Sequence, residues 1–173
     1  EARSITILYG SESGNAQGLA EIFEQRLSDI GNDVTLKSMD DFKPKNLKKV
    51  EDLFIITSTH GEGDPPDNAV ELHEYIHGRK APKLDGVRFS VLALGDQTYE
   101  FFCQTGKDFD NRLAELGAER LYQRTDCDVD YEEDAEKWMA NVINTIDSTP
   151  AGTESEQVVS ESIKSAKEKK YQP

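Results

Sequence analysis

The sequence predicts a doubly wound α/β domain, and three observations predict it. Strand-like apolar runs alternate with amphipathic helical segments, the runs are nearly uninterrupted as in buried parallel strands, and turn-rich loops follow them. Five strand–helix units fit within residues 4–146. A chain of 173 residues builds one ordinary hydrophobic core and is short for two.

The first strand is read over residues 4–9. The helix after it carries Leu19, Ile22, Phe23, Leu27 and Ile30 on one stripe, and Gly31 stands where a helix C-cap belongs. A second strand is read over 33–37 and a third over 52–59, the latter built on Leu53, Phe54, Ile55 and Ile56. Ala69, Leu72, His73 and Ile76 mark the next helix, and residues 87–94 the fourth strand. Phe109, Leu113 and Leu116 mark a helix stopped by Gly117, with a fifth strand over 119–125. The closing helix has the clearest period, since Ala135, Trp138, Met139, Val142, Ile143 and Ile146 recur at i, i+3, i+4, i+7, i+8 and i+11. From Ser148 onward Ser, Thr, Glu and Lys dominate, with too little apolar content for a core. The expected organisation is a domain over 1–147 and a flexible linker over 148–173, with a short helix around 158–166.

No stretch approaches the roughly 20 apolar residues that span a bilayer, and the start Glu1-Ala2-Arg3-Ser4 lacks a signal-peptide pattern. A soluble, cytoplasmic protein is expected, and the abrupt start suggests a piece of something longer. Two cysteines, Cys103 and Cys127, have neither the number nor the spacing of a disulfide framework or a zinc site, and read as small semi-buried hydrophobes. His73 and His77 read as structural, and no metal ligand set is expected. A net charge of -14 argues against nucleic acid and anionic membrane as partners and favours a basic protein.

Ser11, Glu12, Ser13, Gly14, Asn15 and Ala16 join the first strand to the first helix. A loop of small, hydroxyl and glycine residues before a helix presents backbone N–H groups and the helix N-terminus to a phosphate. No Gly-Lys-Ser/Thr follows, which removes the lysine of a nucleoside-triphosphate loop, and no G-x-G-x-x-G opens the helix. A terminal monophosphate held by neutral donors fits what remains, with Glu12 pointed outward. The hexapeptide alone leaves an ordinary capped turn open.

Ligands of doubly wound sheets lie beyond the carboxyl ends of the strands, where the winding reverses. The third strand leads into Ser58-Thr59-His60-Gly61-Glu62-Gly63-Asp64-Pro65-Pro66, and the fourth into Leu94-Gly95-Asp96-Gln97-Thr98-Tyr99-Glu100-Phe101-Phe102-Cys103. Together with Gly106-Lys107-Asp108-Phe109-Asp110, these loops resemble the FMN-binding loops of the diflavin reductases over about residues 5–146, and most closely those of the sulfite reductase branch. Cytochrome P450 reductases share the first loop and the Gly-Asp-x-x-Tyr core.

The resemblance implies a flavodoxin-like parallel sheet of five strands, order 2-1-3-4-5, with helices on both faces. It implies FMN held by the three loops: residues 11–16, then Ser58 to Gly61, then Leu94 to Cys103. Tyr99 would stack on one face of the isoalloxazine. Gly61 resembles the residue whose peptide turns its carbonyl toward flavin N5, and His60 would approach from the other side. Asp96 and the backbone of the fourth-strand loop, including Gly95, Gln97, Thr98, Glu100, Phe101 and Phe102, would line the polar pyrimidine edge, with Cys103 as a neighbour. No catalytic side chain is expected, since the flavin carries the chemistry.

FAD and NADPH sites are expected only in an absent C-terminal part, whose module would pass electrons to FMN and onward, singly, to a sulfite reductase haemoprotein. The acids Glu62, Asp64, Asp67, Asp126, Asp128, Asp130, Glu132, Glu133 and Asp134 would steer that partner. A free-standing flavodoxin is the rival reading. A phosphoacceptor receiver domain would need acids after the first strand, where Tyr9-Gly10-Ser11 offers none.

Overall fold

A parallel strand covered on both faces needs apolar side chains pointing both ways. The central strands of the chain meet that condition. In β3 (Asp52–Ser58) every residue up to Thr57 is buried, and in β4 (Arg88–Leu94) every residue after Arg88 is. A computed structural model describes residues 4–11, 14–59, 63–96, 98, 100 and 102–148. β1 (Ser4–Gly10) lies between β2 (Asp33–Ser38) and β3, β4 follows β3, and the order is β2-β1-β3-β4-β5 with all pairs parallel. This is the sheet order expected. Asp52 is fully buried at the start of β3, and its charge is met in register by Arg88, whose Nε and Nη2 donate to the two carboxylate oxygens at 2.9 and 3.0 Å.

Helices α1 (Asn15–Asp29) and α4 (Glu132–Ser148) cover one face of the sheet; α2 (Val70–His77) and α3 (Gln104–Glu115) cover the other. The first face centres on Phe23, Phe54 and Trp138, with ring centroids 5.0–6.1 Å apart in tilted and edge-on geometry. The second packs Leu53, Ile55, Phe89, Val91, Phe109 and Leu113. α3 approaches β4 closely enough that a Cβ at Gly106 would stand 2.3 Å from the Ala93 Cβ.

Two expectations are corrected. The stripe of α1 is Ala16, Leu19, Ala20, Phe23 and Leu27, while Ile22 and Ile30 are each 46% exposed. Two alanines let this side of the helix lie close to the sheet, and Ile22 stands about 100° round the helix from Phe23. Gly31 does close the helix, with φ of 98° and its N–H donating to Ser28 O at 3.0 Å.

The expected fifth strand is two short strands on the same side of β4: β5 (Glu119–Arg120) and β6 (Thr125–Cys127). The edge advances from Arg120 to Thr125 while β4 advances only from Phe89 to Leu92, so the intervening residues bulge from the ladder. Buried hydroxyl chemistry accompanies the bulge. Ser90 Oγ donates to Tyr122 O at 2.8 Å and accepts from Trp138 Nε1 at 3.0 Å.

Candidate functional site

The carboxyl ends of the strands are stitched into one rim. Thr57 Oγ1 donates to Gly10 O at 3.1 Å, joining the ends of β3 and β1. Thr59 N donates to Leu94 O at 3.2 Å, and Gly95 N to Cys127 O at 2.9 Å, which carries the stitching across β4 to β6. Thr105, in the first turn of α3, closes the third-strand loop from the side. Its N–H donates to Thr59 Oγ1 and its hydroxyl to Asp64 O, both at 3.0 Å. Sequence reasoning missed Thr105, whose signal was a hydroxyl one helical repeat before Phe109 and Leu113 on the buried stripe of α3.

The N-terminus of α1 opens on this rim. Gly14 is its N-cap in the left-handed region (φ 87°), with no side-chain cap bond and no acid in the first turn of the helix. The first-turn amides and the positive end of the helix dipole are therefore not neutralised by an acid of the helix's own first turn. Among the described residues, a Cβ built on Gly14 would meet nothing within 4 Å. Ser11 Oγ accepts from Gly14 N at 3.1 Å and sets the turn. A donor-rich helix terminus with no acid in its own first turn fits a phosphate monoester. The N-terminus of α4 is built oppositely, with Glu132, Glu133 and Asp134 in its first turn.

The loop from Leu94 to Cys103 is pinched at its base. A Cβ on Gly95 would lie 2.9 Å from Cys103 N and 3.0 Å from its Sγ, so only glycine fits there. Cys103 caps α3 in the left-handed region (φ 55°), the one non-glycine residue with positive φ among those described. Its thiol donates to Cys127 O at 3.6 Å. Burial, then the Asp126 charge, pushes this thiol up to about 12, and burial does the same to Cys127. Both sulfurs thus stay protonated and unreactive. Asp96 Oδ1 accepts from Thr98 Oγ1 at 2.7 Å and Thr98 N at 3.0 Å, and these bonds hold its carboxyl below the usual range.

Of the residues expected to bind FMN, Ser11, Gly14, Asn15, Ala16, Ser58, Thr59, Leu94, Gly95, Asp96, Thr98, Glu100, Phe102 and Cys103 lie in the strand ends, loops and first turns that follow β1, β3 and β4. Ala16, Leu94 and Cys103 are buried, so their side chains pack beneath the rim. Lys107 Nζ lies 5.9 Å from the centroid of the Phe102 ring. Glu12, Ser13, His60, Gly61, Gln97, Tyr99 and Phe101 lie outside the described residues, as do Glu62 and the tail from 149.

The acidic residues divide. Asp64, Asp67, Asp130, Glu132, Glu133 and Asp134 are exposed, the last three also suiting a helix N-terminus. Asp126 is instead engaged by Arg124 Nε at 2.7 Å. His73 Nε2 meets Asp108 Oδ2 at 3.0 Å and His77 Nδ1 meets His73 O at 2.7 Å, so both imidazoles have structural partners. No trio of His, Cys, Asp or Glu is placed to hold a metal among the described residues, and no helix among them is long and apolar enough to cross a membrane.

The sequence profile of the flavodoxin family matches residues 7–138. The chain is 57% identical over 152 residues to the sulfite reductase [NADPH] flavoprotein alpha-component of Bacillus subtilis, covering 88% of this chain and 25% of that protein. It is 50% identical to the protein of the same name from Vibrio parahaemolyticus, over 91% of this chain and 25% of the relative. The chain therefore spans about a quarter of the length of these relatives. Among solved structures, oxidised flavodoxin 2 from Bacillus cereus superposes with a TM-score of 0.70 at 28% identity, covering 83% of this chain and 97% of that one. The TIGR4 flavodoxin of Streptococcus superposes at 0.70 with 24% identity, covering 81% and 97%, a likeness of fold alone.

Proposed function

The chain belongs to the flavodoxin family, and from that premise we propose that it is the FMN-binding electron-transfer domain of a longer NADPH-dependent sulfite reductase flavoprotein, an oxidoreductase. In this reading an FAD/NADPH module of the same protein supplies electrons, and a sulfite reductase haemoprotein receives them in the cytoplasm. Residues 148–173 would be the tether between the domain over 1–147 and that module. The carrying observation is the N-terminus of α1 behind Gly14, with no side-chain cap and no acid in its first turn, on a rim where the ends of β1, β3, β4 and β6 are joined. The identity of 57% with a flavoprotein component favours this over a free-standing flavodoxin, for which the likeness in sequence is 28% or lower among the structures above.

Bound FMN supplies the exchange between paired and single electrons. The chain's own residues hold and orient it. The amides of Asn15 and Ala16 behind the Gly14 turn, with the hydroxyls of Ser11, Ser13, Ser58 and Thr59, would hold the phosphate without a cation. The loop from Leu94 to Cys103, with Tyr99 as its stacking ring, would hold the isoalloxazine, and the loop bearing His60 and Gly61 would close its other side. A thiol held protonated at Cys103 keeps a thiolate away from the ring. The exposed acids at 64, 67, 130 and 132–134 would steer a basic partner toward the same rim.

Titration of the purified chain with FMN, followed by quenching of flavin fluorescence, tests this reading. Saturable uptake of one FMN per chain is expected; fluorescence that stays unquenched at high protein concentration would overturn it.

A further inference from the structure

Beneath the rim runs an alternating chain of charges that the FMN reading leaves unused. Asp110 of α3 is only 6% exposed in its side chain. Its carboxylate accepts from Arg120 Nε at 2.8 Å and Nη2 at 3.1 Å, and from Arg124 Nη1 at 3.1 Å. Arg124 then forks onto Asp126, with Nε–Oδ1 at 2.7 Å and Nη2–Oδ2 at 3.3 Å. Two cations and two anions thus bridge the bulge between β5 and β6.

The far end of this chain reaches the loop of the rim. Asp126 precedes Cys127, and the carbonyl of Cys127 accepts from both Gly95 N and Cys103 Sγ, the two ends of the pinched loop. β6 itself is three residues long and pairs only with β4 among the described strands, a short edge that backbone bonds alone hold weakly. A planar guanidinium satisfying two carboxylates at once supplies a directional constraint that a lysine lacks.

We propose that Arg124 is a positioning residue for the flavin: by clamping Asp126 to Asp110 it fixes Cys127, and through the Cys127 carbonyl it fixes Gly95 and Cys103, the two ends of the fourth-strand loop. This rests on the FMN reading for the loop's role, and on geometry alone for its fixation. Removing Arg124 leaves Asp110 bound to Arg120, so the fold survives while Asp126 is released. A merely structural network would instead loosen the whole sheet together.

The test uses Arg124→Gln in the full 173-residue chain, with amide hydrogen exchange in the FMN-free protein and FMN affinity by fluorescence quenching. Loss of a charge-assisted bond predicts protection at Gly95 falling about tenfold, with Ile55 of β3 unchanged, and FMN affinity weakened about tenfold. Arg124→Lys recovers at most part of either effect, and it carries the measurement if the glutamine variant does not fold. Equal loss at Gly95 and Ile55, an unchanged Gly95, or an unchanged FMN affinity overturns the proposal. Failure of wild-type protein to take up FMN overturns the functional reading instead, and is recognisable because it precedes any comparison of variants.

Discussion

On the β1–α1 side of the carboxyl rim the chain turns with little charge among the described residues: Ser11 and Gly14 shape the loop, and the first turn of α1 holds no acid. Its support is apolar, with Ala16, Leu19, Ala20 and Phe23 pressed against the sheet and Trp138. On the β5–β6 side the rim is held by Arg120, Asp110, Arg124 and Asp126, and its two strands together carry five residues. One side can keep acids out of the first turn of its helix because it is held mainly by buried apolar packing, with its ion pair to α4, Arg26–Glu136, standing exposed. The other side, with its ladder interrupted, depends on ion pairs to stay in place.

Trp138→Ala breaks the apolar side and is expected to have the largest effect. The indole is fully buried against Phe23 and Phe54, and its Nε1 donates to Ser90 Oγ. Truncation should destabilise the fold by about 4 kcal/mol in urea denaturation. A change under about 1 kcal/mol would mean that packing is not what holds this side. Asp110→Asn attacks the charged side and should destabilise by about 2 kcal/mol, less than a fully buried pair, because Arg120 and Arg124 remain 38% and 24% exposed and regain water. If it matched Trp138→Ala, the contrast between the two sides would collapse.

That contrast also separates what the sequence made legible from what it did not. β1, β3 and β4 could be read because strands buried on both faces carry unbroken apolar runs such as Leu53 to Ile56. The α4 stripe could be read because Ala135, Trp138, Met139, Val142 and Ile146 all face one core. The break between β5 and β6 could not, because the groups that bond its residues lie on other elements: the Ser90 hydroxyl on β4 and the Asp110 carboxylate on α3. Nor could the exposure of Ile22, since Ala16 and Ala20 decide which side of α1 meets the sheet. At the rim, small residues announced the loops, but the left-handed turn at Cys103 has no composition signal. Asp126 stands in the row of acids read as steering a partner, and nothing in that row signals that the Arg124 guanidinium folds onto it.

The two thiols beneath the loop sharpen the comparison with pH. Cys103 and Cys127 are each pushed up to about 12 in the fold by burial, against 9.0 for an ordinary thiol. Above pH 9 the unfolded chain therefore loses protons that the folded chain keeps. The stabilisation is present in full below pH 9 and is lost as the pH rises from there toward 12. One unit into that window, at pH 10, each thiol should lower stability by about 1 kcal/mol. Urea midpoints at pH 8 and pH 10 should fall less steeply in a Cys103→Ala, Cys127→Ala variant; an identical slope would show that the thiols are not what the window reports.

The smallest effect belongs to an ion pair that looks like those of the charged side but stands in water. Arg26 of α1 meets Glu136 of α4 with two bonds, at 2.6 and 2.8 Å, and these bonds raise the guanidinium pKa further. Its partners are 37% and 56% exposed in their side chains, whereas Asp110 is 6% exposed. Water competes for both ends of the exposed pair and salt screens it, so Arg26→Gln should destabilise by only about 0.5 kcal/mol, and by almost nothing at about 1 M salt. Asp110→Asn should keep most of its effect at that salt concentration. Equal salt sensitivity in the two variants would mean that bidentate geometry, and not burial on the β5–β6 side, sets the strength of an ion pair in this fold.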